Sequence, residues 1–174
     1  MNLKDRRMSL PLDTLSTSMF LRGLKVLSGL IDRAAESGLD EATLMEARLA
    51  PDMRPFPDQI RMAAFSARSG IARLTDQPWP KTDDTEATLA ELKATVALSI
   101  AFIEGVEAAA FAGGETRRIE LRFPGIELNF EGQGYLTSFA LPNFYFHLSM
   151  AYAILRHLGV PLGKRDFLGQ LDMI

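Results

Sequence analysis

Four stretches of this sequence repeat apolar residues at the spacing of an α-helix, and between the third and the fourth the spacing becomes that of a β-strand. The helical spacing is clearest in the run Leu89, Leu92, Val96, Ile100, Ile103 and Val106. From Ile119 to Phe130, apolar and polar residues instead alternate on either side of Pro124-Gly125. A period of about 3.6 is typical of amphipathic helices, and alternation is typical of half-buried strands. The pattern predicts a mainly α chain, a helical bundle with a short β-hairpin before its last helix.

The bounds of these elements follow from the stop signals between them. The sequence predicts helices at about 13–36, 39–50, 57–74, 89–114 and 141–157, and strands at 119–123 and 126–130. Asp83 and Glu86 have the spacing of a capping box ahead of the fourth of these helices. The segment 132–134 is predicted to be flexible, and the tail after Pro161 irregular. Because a lone hairpin is marginal in water, its apolar face is expected to lie against the helices or a second subunit.

Length and composition limit the function classes. The 174 residues suit one domain at 13–174, preceded by a disordered or extended segment at 1–12. Whether Met1 or Met8 is the biological start stays open. Lys and Arg number 19 against 22 Asp and Glu, interspersed along the chain, so neither nucleic acid nor an anionic membrane is an expected partner.

The residues that are missing also bear on chemistry. The sequence has no cysteine, which excludes disulfides, thiolate metal sites and cysteine nucleophiles. No apolar stretch is long enough for a signal peptide or a membrane-spanning helix, so the cytoplasm is the expected location.

His147 is the residue on which a catalytic or metal-binding hypothesis depends. It lies on the apolar face of the last predicted helix, where helical bundles place ligands, although a hydrogen-bonded core histidine is the commoner case. His157 lies about 15 Å further along the same helix, whereas two ligands of one ion lie about 3–4 Å apart. One ion in a monomer therefore needs His147 and donors from other helices. The candidates are Asp52, Gln59 and Glu104, each of which also suits a cap or a hydrogen-bond partner.

Other polar residues lie near His147 in the sequence. Asn143, Tyr145, Tyr152 and Tyr135 are candidates for the lining of a small polar pocket, or for tyrosines that bury their rings and satisfy one hydroxyl each. The segment 163–166 is a short basic loop and so a candidate for holding an anion, but it lacks the glycine spacing and following helix of a phosphate loop, and a solvated loop is the favoured interpretation.

Several segments of the chain resemble a known family. The strings LPNFYFH at 141–147, AYAILRH at 151–157, GVPLGKRDFLG at 159–169 and RLAPDM at 48–53, with Gln59 shortly after, resemble the bacterial domain-of-unknown-function family nineteen-ninety-three. That family is similar to the DinB/YfiT-like superfamily of metalloenzymes. The resemblance implies an up-down-down-up four-helix bundle, commonly a homodimer. Some members bind a divalent ion through three histidines, and some transfer low-molecular-weight thiols.

The metal chemistry of that superfamily does not carry over directly, because this chain has only two histidines. His147 is the one position that the resemblance carries over as a metal ligand. Ala34-Ala35 stands where a family member would be expected to offer a histidine.

Three functions stay open on the sequence. The favoured one is a non-enzymatic or small-ligand-binding homodimer without a cofactor, in which the polar residues around His147 form a structural network or a pocket. The second is a divergent metal-dependent hydrolase or thiol transferase, with Zn²⁺, Ni²⁺ or Mn²⁺ held by His147 and by Asp52, Gln59 or Glu104. The third is a protein-interaction module that docks through the hairpin or the apolar tail.

Overall fold

The computed structural model of the protein describes residues 10–171 and 173. The elements are α1 (Leu12–Ala35), α2 (Glu41–Glu46), α3 (Phe56–Thr75), α4 (Leu89–Glu104), β1 (Arg118–Phe123), β2 (Ile126–Glu131), α5 (Gly132–Tyr135), α6 (Leu141–His157) and α7 (Lys164–Leu168). A 3-10 turn lies at Ala108–Phe111, and a π-helical turn at Leu136–Ala140 joins α5 to α6. The predicted mainly α fold with a hairpin before the last long helix is confirmed.

Two ion pairs show that α1 and α4 run antiparallel. Lys25 on α1 lies 3.6 Å from the carboxylate of Glu104 at the end of α4. Asp32, further along α1, pairs instead with Lys93 near the start of α4. Both pairs are on the surface, so they report the direction of the helices more than they stabilise them.

Helices α3 and α6 are also antiparallel neighbours. Gln59 near the start of α3 contacts His147 on α6, whereas Ser66 later on α3 contacts Asn143 earlier on α6. These polar pairs lie among buried alanine, leucine and phenylalanine side chains of both helices.

Helix α6 lies against α1 in the parallel direction, which completes the up-down-down-up bundle. The Tyr145 hydroxyl donates to the carbonyl of Met19, and Gly23 further along α1 faces Leu148 further along α6. Gly23 has to be glycine here, because a Cβ would lie 2.3 Å from the buried ring of Phe144. The two helices therefore approach closely around one aromatic side chain.

The hairpin lies at the end of the bundle where α3 finishes. Its antiparallel register pairs Phe123 with Ile126 at the tip, and the Arg117 guanidinium just before β1 donates to the carbonyl of Leu74. The apolar residues that are buried or half-buried are Ile119, Leu121, Leu128 and Phe130. Phe123 and Ile126 stay exposed, so the bundle covers the base of the hairpin and not its tip.

The predicted capping box at Asp83 and Glu86 is wrong. The helix begins later, and Thr88 and Glu91 form the box: Thr88 Oγ1 accepts from the Glu91 N–H at 3.2 Å and Glu91 Oε2 accepts from the Thr88 N–H at 3.1 Å. The residues between the prolines and Thr88 are irregular, so the cap forms only where the helical stripe begins.

The predicted fourth helix is too long. Helix α4 ends at Glu104 rather than near 113–114, because Gly105 follows as the C-cap and Glu107 takes an extended conformation before the 3-10 turn. The short second helix is also shorter than predicted, since it spans Glu41–Glu46 with Asp40 as its N-cap.

Two segments predicted to be flexible or irregular are helical. Gly132 begins α5, and its glycine serves a close approach, because a Cβ there would lie 1.8 Å from the carbonyl oxygen of Gly114. The expected solvated loop at 163–166 instead begins α7, where the Gly163 N–H donates to Asp166 Oδ2 at 2.7 Å.

The N-terminal prediction can be compared only in part. Of the segment 1–12, residues 1–9 lie outside the described residues, and Leu12 is buried as the first residue of α1. Among the described residues, no helix is both long enough and apolar enough to cross a membrane.

Candidate functional site

His147 and Gln59 form a buried polar pair between α6 and α3. His147 Nδ1 lies 2.8 Å from Gln59 Oε1, and both side chains are almost completely shielded from solvent. The Gln59 Nε2 group donates to the carbonyl of Arg54 at 3.0 Å, which orients the amide so that Oε1 faces the histidine. Oε1 can only accept, so the hydrogen bond assigns the proton to Nδ1 and leaves a lone pair on Nε2.

The surroundings of His147 favour the neutral imidazole. Burial lowers the pKa of His147, and the positive charge of Arg54 lowers it further. In the described part of the chain, Arg68 Nε is the one fully buried side-chain nitrogen or oxygen without a hydrogen-bond partner. His147 Nε2 makes no hydrogen bond there either, so it retains contact with solvent.

Asn143 and Ser66 add a second polar contact to the same interface. Asn143 Nδ2 donates to Ser66 Oγ at 2.7 Å, and the Ser66 hydroxyl donates to the carbonyl of Met62. Asn143 and His147 are one helical turn apart on α6, so both face α3. Three of the predicted pocket residues, Asn143, His147 and Gln59, are therefore brought together.

The predicted tyrosines lie elsewhere. The Tyr145 hydroxyl is bonded to α1, and the Tyr152 ring packs edge-to-face on Phe167 of α7 at 5.5 Å. Tyr135 is fully buried, and its hydroxyl accepts from Arg73 at 3.2 Å. Burial raises the pKa of Tyr135, and Arg73 partly offsets that effect. The hydroxyls of Tyr145 and Tyr135 are each satisfied by one hydrogen bond, and none of the three tyrosines converges on His147.

The predicted acidic candidates do not join His147 either. Asp52 is exposed on the segment before α3, and Glu104 is exposed at the end of α4, where it pairs with Lys25. His157 is exposed at the end of α6.

The residues present do not fit the divalent ion that the fold family implies. Within residues 10–171 and 173, no three His, Cys, Asp or Glu side chains converge as metal ligands. His147 offers Nε2, but the oxygen of its neighbour Gln59 is already engaged with Nδ1. A structural zinc site takes four protein ligands and a catalytic one takes three, so a single nitrogen is too few.

A second buried polar network was not predicted from the sequence. Arg68 on α3 is fully buried and donates to Ser99 Oγ at 2.7 Å and to Thr82 Oγ1 at 3.1 Å. The Thr82 hydroxyl in turn donates to Asp84. Burial lowers the pKa of Arg68, and the charges of Asp84 and Glu86 partly offset this. The spacing of apolar residues could have predicted that Arg68 is buried, because it falls on the same helix face as apolar residues three and four positions away.

Glu86 ties the loop before α4 to α3 in the same region. It accepts from Arg61 Nε at 2.8 Å and from the Thr95 hydroxyl. Burial alone would raise the pKa of Glu86, but the hydrogen bonds from Thr95 and Arg61 outweigh it and hold the pKa below its ordinary value. The network joins α3, α4 and their connecting loop, and it is structural in character.

A concave surface with room for a ligand lies along α1. This α1 groove, of about 830 Å³, runs between α1 and the C-terminal segment, residues 161–171. Arg22 holds the segment by donating to the carbonyls of Leu168 at 2.9 Å and Gln170 at 2.8 Å. Arg33 donates to the carbonyl of Pro161 at 2.8 Å. The C-terminal segment, which forms the wall of the groove opposite α1, is therefore bound to α1 at both of its ends.

Two glycines shape the α1 groove. Gly169 has φ +66°, and a Cβ there would lie 2.9 Å from Val26 Cγ2, so the chain turns against α1 only without a side chain. Gly29 is exposed on α1 and lines the groove, and a Cβ there would meet no atom within 4 Å. The structure places none of the sequence-predicted site residues in this groove.

Comparisons with known proteins agree with this architecture. Residues 12–168 match the family model described as Domain of unknown function (DUF1993). The crystal structure of a DinB family member protein from Shewanella denitrificans is 37% identical, covers 100% of this chain and 99% of its own, and has a TM-score of 0.85. No curated protein matches the sequence at a significant level. This chain therefore belongs to the DUF1993 family and has the DinB-like four-helix-bundle fold.

Proposed function

We propose that this protein is a small-ligand-binding bundle whose ligand site is the α1 groove, and that the His147–Gln59 pair is structural. The observation that carries the proposal is the volume of about 830 Å³ between α1 and a fastened C-terminal segment. Ligand sites are typically clefts of about 300–1,000 Å³ that are largely formed before the ligand binds. The His147 region offers one free nitrogen, and His147 and Gln59 do not line the groove.

Preorganisation of the groove wall supports binding. Arg22 makes two charge-assisted hydrogen bonds to the C-terminal segment, and such bonds are stronger than neutral ones. Because the wall is held in place without a ligand, little conformational entropy is lost from it when a ligand binds.

The position of Gly29 supports the same proposal. A glycine in a helix interior costs about 1 kcal/mol relative to alanine. No neighbour requires glycine at this position, since a Cβ would meet nothing within 4 Å. A side chain would instead project into the groove, so the glycine keeps the groove open.

A fragment screen by thermal shift tests the proposal, with Gly29→Leu as the blocking variant. Gly134→Leu is the matched control, because Gly134 is also an exposed helical glycine with open space at its Cβ position, away from the groove. Fragments that stabilise the wild type should stabilise Gly134→Leu and not Gly29→Leu. Fragments that stabilise all three proteins equally would show that the ligand site is elsewhere.

Elemental analysis separates ligand binding from the metal-enzyme alternative. Protein purified without chelator should contain no stoichiometric Zn, Ni or Mn, because the described residues do not supply a ligand set. One ion per chain that is lost in His147→Ala would contradict the proposal and favour a hydrolase or thiol transferase.

The proposal includes self-association as a homodimer, through the outer face of α4. Between Lys93 and Glu104 this face carries only small or apolar exposed residues: Ala94, Ala97, Leu98 and Ala101. Lys93 and Glu104 are eleven residues apart, about three turns, and so lie on the same side of the helix. In an antiparallel two-fold pairing, Lys93 and Glu104 of each copy would keep their partners Asp32 and Lys25 on α1 and also approach Glu104 and Lys93 of the other copy, so the face is complementary to itself.

Charge reversal tests this dimer by sedimentation velocity. Lys93→Glu and Glu104→Lys should each weaken self-association by placing like charges together, and the double variant should restore it. Leu98→Glu should yield a monomer both in the wild type and in the double variant. A wild-type monomer at all concentrations, or a dimer indifferent to all these changes, would contradict the proposal.

A further inference from the structure

We propose that the ligand of the α1 groove is an anionic amphiphile, a small organic acid whose anionic group binds at Arg22 and Arg165 and whose apolar body lies along Val26 and Gly29. The inference rests on the groove being the ligand site. It adds the chemical class of the ligand.

The acidic side chains of the groove are already neutralised or engaged. Asp32 pairs with Lys93, and Glu36 pairs with Arg33 at 3.6 Å. Asp166 accepts the backbone N–H at the start of α7. Asp32 and Glu36 are therefore compensated by basic side chains, whereas Asp166 keeps its negative charge and opposes one of the remaining positive charges of the groove.

Two basic side chains of the groove have no carboxylate partner within the described chain. Lys25 is paired with Glu104, but both hydrogen bonds of Arg22 go to neutral carbonyls. The guanidinium of Arg165, on α7, makes no hydrogen bond or ion pair to any described residue. Arg22 and Arg165 against the one unpaired carboxylate, Asp166, leave the groove with an excess of one positive charge, and guanidinium groups bind carboxylates through charge-assisted hydrogen bonds.

These two charges lie at one end of an apolar strip. Arg22 binds the carbonyls of Leu168 and Gln170, three and five residues after Arg165 on the C-terminal segment, and Arg165 lines the same groove. Val26 is one turn after Arg22 on the same face of α1, and Gly29 follows about 10 Å from Arg22 along the helix. Val26 is 6% exposed and offers only the edge of its side chain, so the open space above Gly29 provides most of the room for an alkyl or aryl body of medium length.

Isothermal titration calorimetry with three eight-carbon probes tests the ligand class. Octanoate, octanol and octylammonium share the apolar chain and differ in the charge of the head group. We expect octanoate to bind at least about tenfold more tightly than octanol, as one additional charge-assisted contact provides, and octylammonium to bind most weakly. Gly29→Leu should abolish binding of octanoate, and Gly134→Leu should not.

Substitutions on α7 test the role of charge. Arg165→Gln should lower octanoate affinity by about tenfold without changing octanol binding, and Arg165→Lys should retain most of the preference for the anion. Lys164→Gln is the matched control, because it removes the same charge from the neighbouring residue outside the groove. Octanoate affinity should be unchanged in that control.

The outcomes distinguish this inference from the function on which it rests. If octanol or octylammonium binds as tightly as octanoate and Gly29→Leu blocks it, the ligand class is wrong and the groove still binds. If octanoate binds equally to Gly29→Leu, the groove itself is overturned as the site. If no probe binds, the anionic amphiphile is overturned, and the fragment screen decides the proposed function separately.

Discussion

Gln59 Oε1 and His147 Nδ1 lie 2.8 Å apart and join α3 to α6 in the interior of the bundle. The hydrogen bond from Gln59 to the Arg54 carbonyl makes the amide oxygen an acceptor for His147. The histidine is therefore held as the neutral Nδ1–H tautomer, in a setting where burial and then Arg54 lower its pKa.

The lowered pKa of His147 predicts that the free energy of unfolding depends on pH through this histidine. Below about pH 6.5 the unfolded chain takes up a proton on the histidine that the folded protein resists. The unfolded state then binds more protons, so the free energy of unfolding is constant above about pH 6.5 and falls as the pH drops towards the lowered pKa of the folded state. Urea unfolding at a series of pH values should show this fall in the wild type.

Two variants isolate the contribution of His147 to that pH dependence. His147→Gln should lower the free energy of unfolding by about 1 kcal/mol at neutral pH and flatten its fall below about pH 6.5. His157→Gln should keep the fall, because His157 is exposed. An unchanged pH dependence in His147→Gln would show that His147 is not kept neutral by folding.

Arg61, which is half-buried on α3, and Arg68, which is fully buried there, should respond oppositely to replacement by methionine. Arg61→Met leaves Glu86 in a largely buried position without its cation and should cost about 2 kcal/mol. Arg68→Met removes a buried charge with an unpartnered Nε, while Ser99 and Thr82 keep their own acceptors. It should be neutral, or stabilising by about 1 kcal/mol.

Denaturation by urea measures both changes on one scale. The comparison is internal, because the two arginines lie on the same helix and are replaced by the same residue. If Arg68→Met costs more than Arg61→Met, the Arg68 network stabilises the fold beyond its visible hydrogen bonds.

Alanine substitutions at the two glycines of the α1 groove should change the free energy of unfolding in opposite directions. Gly169→Ala forces a Cβ to 2.9 Å from Val26 Cγ2 at a positive φ and should lower the free energy of unfolding by about 1–3 kcal/mol. Gly29→Ala adds a side chain in open space within a helix and should raise it by about 0.5–1 kcal/mol. Equal effects at the two positions would show that Gly169 does not shape the wall.

Much of the bundle could be predicted from the sequence, because its helices place apolar residues on one face over many turns. The hairpin could be predicted for the same reason, since its alternation lasts for two strands. The apolar face of the last helix marked His147 as a candidate, the start of a predicted helix marked Gln59, and the structure brings the two into contact.

What could not be predicted depends on contacts between distant segments. The glycine at 132 is required by the carbonyl of Gly114, and nothing local shows that neighbour. The α1 groove depends on the side of α1 against which the C-terminal segment lies, which Arg22 and Gly169 fix only through partners far along the chain. Periodicity within one helix contains no information on such pairings.

The measurement that tests the ligand site most directly is the perturbation of backbone amide NMR shifts on titration with octanoate. The α1 groove predicts the largest shifts at Val26, Gly29 and Gly169, and small shifts on α3. Largest shifts at Gln59, Asn143 and His147 would contradict it and place the ligand at the polar interface between α3 and α6.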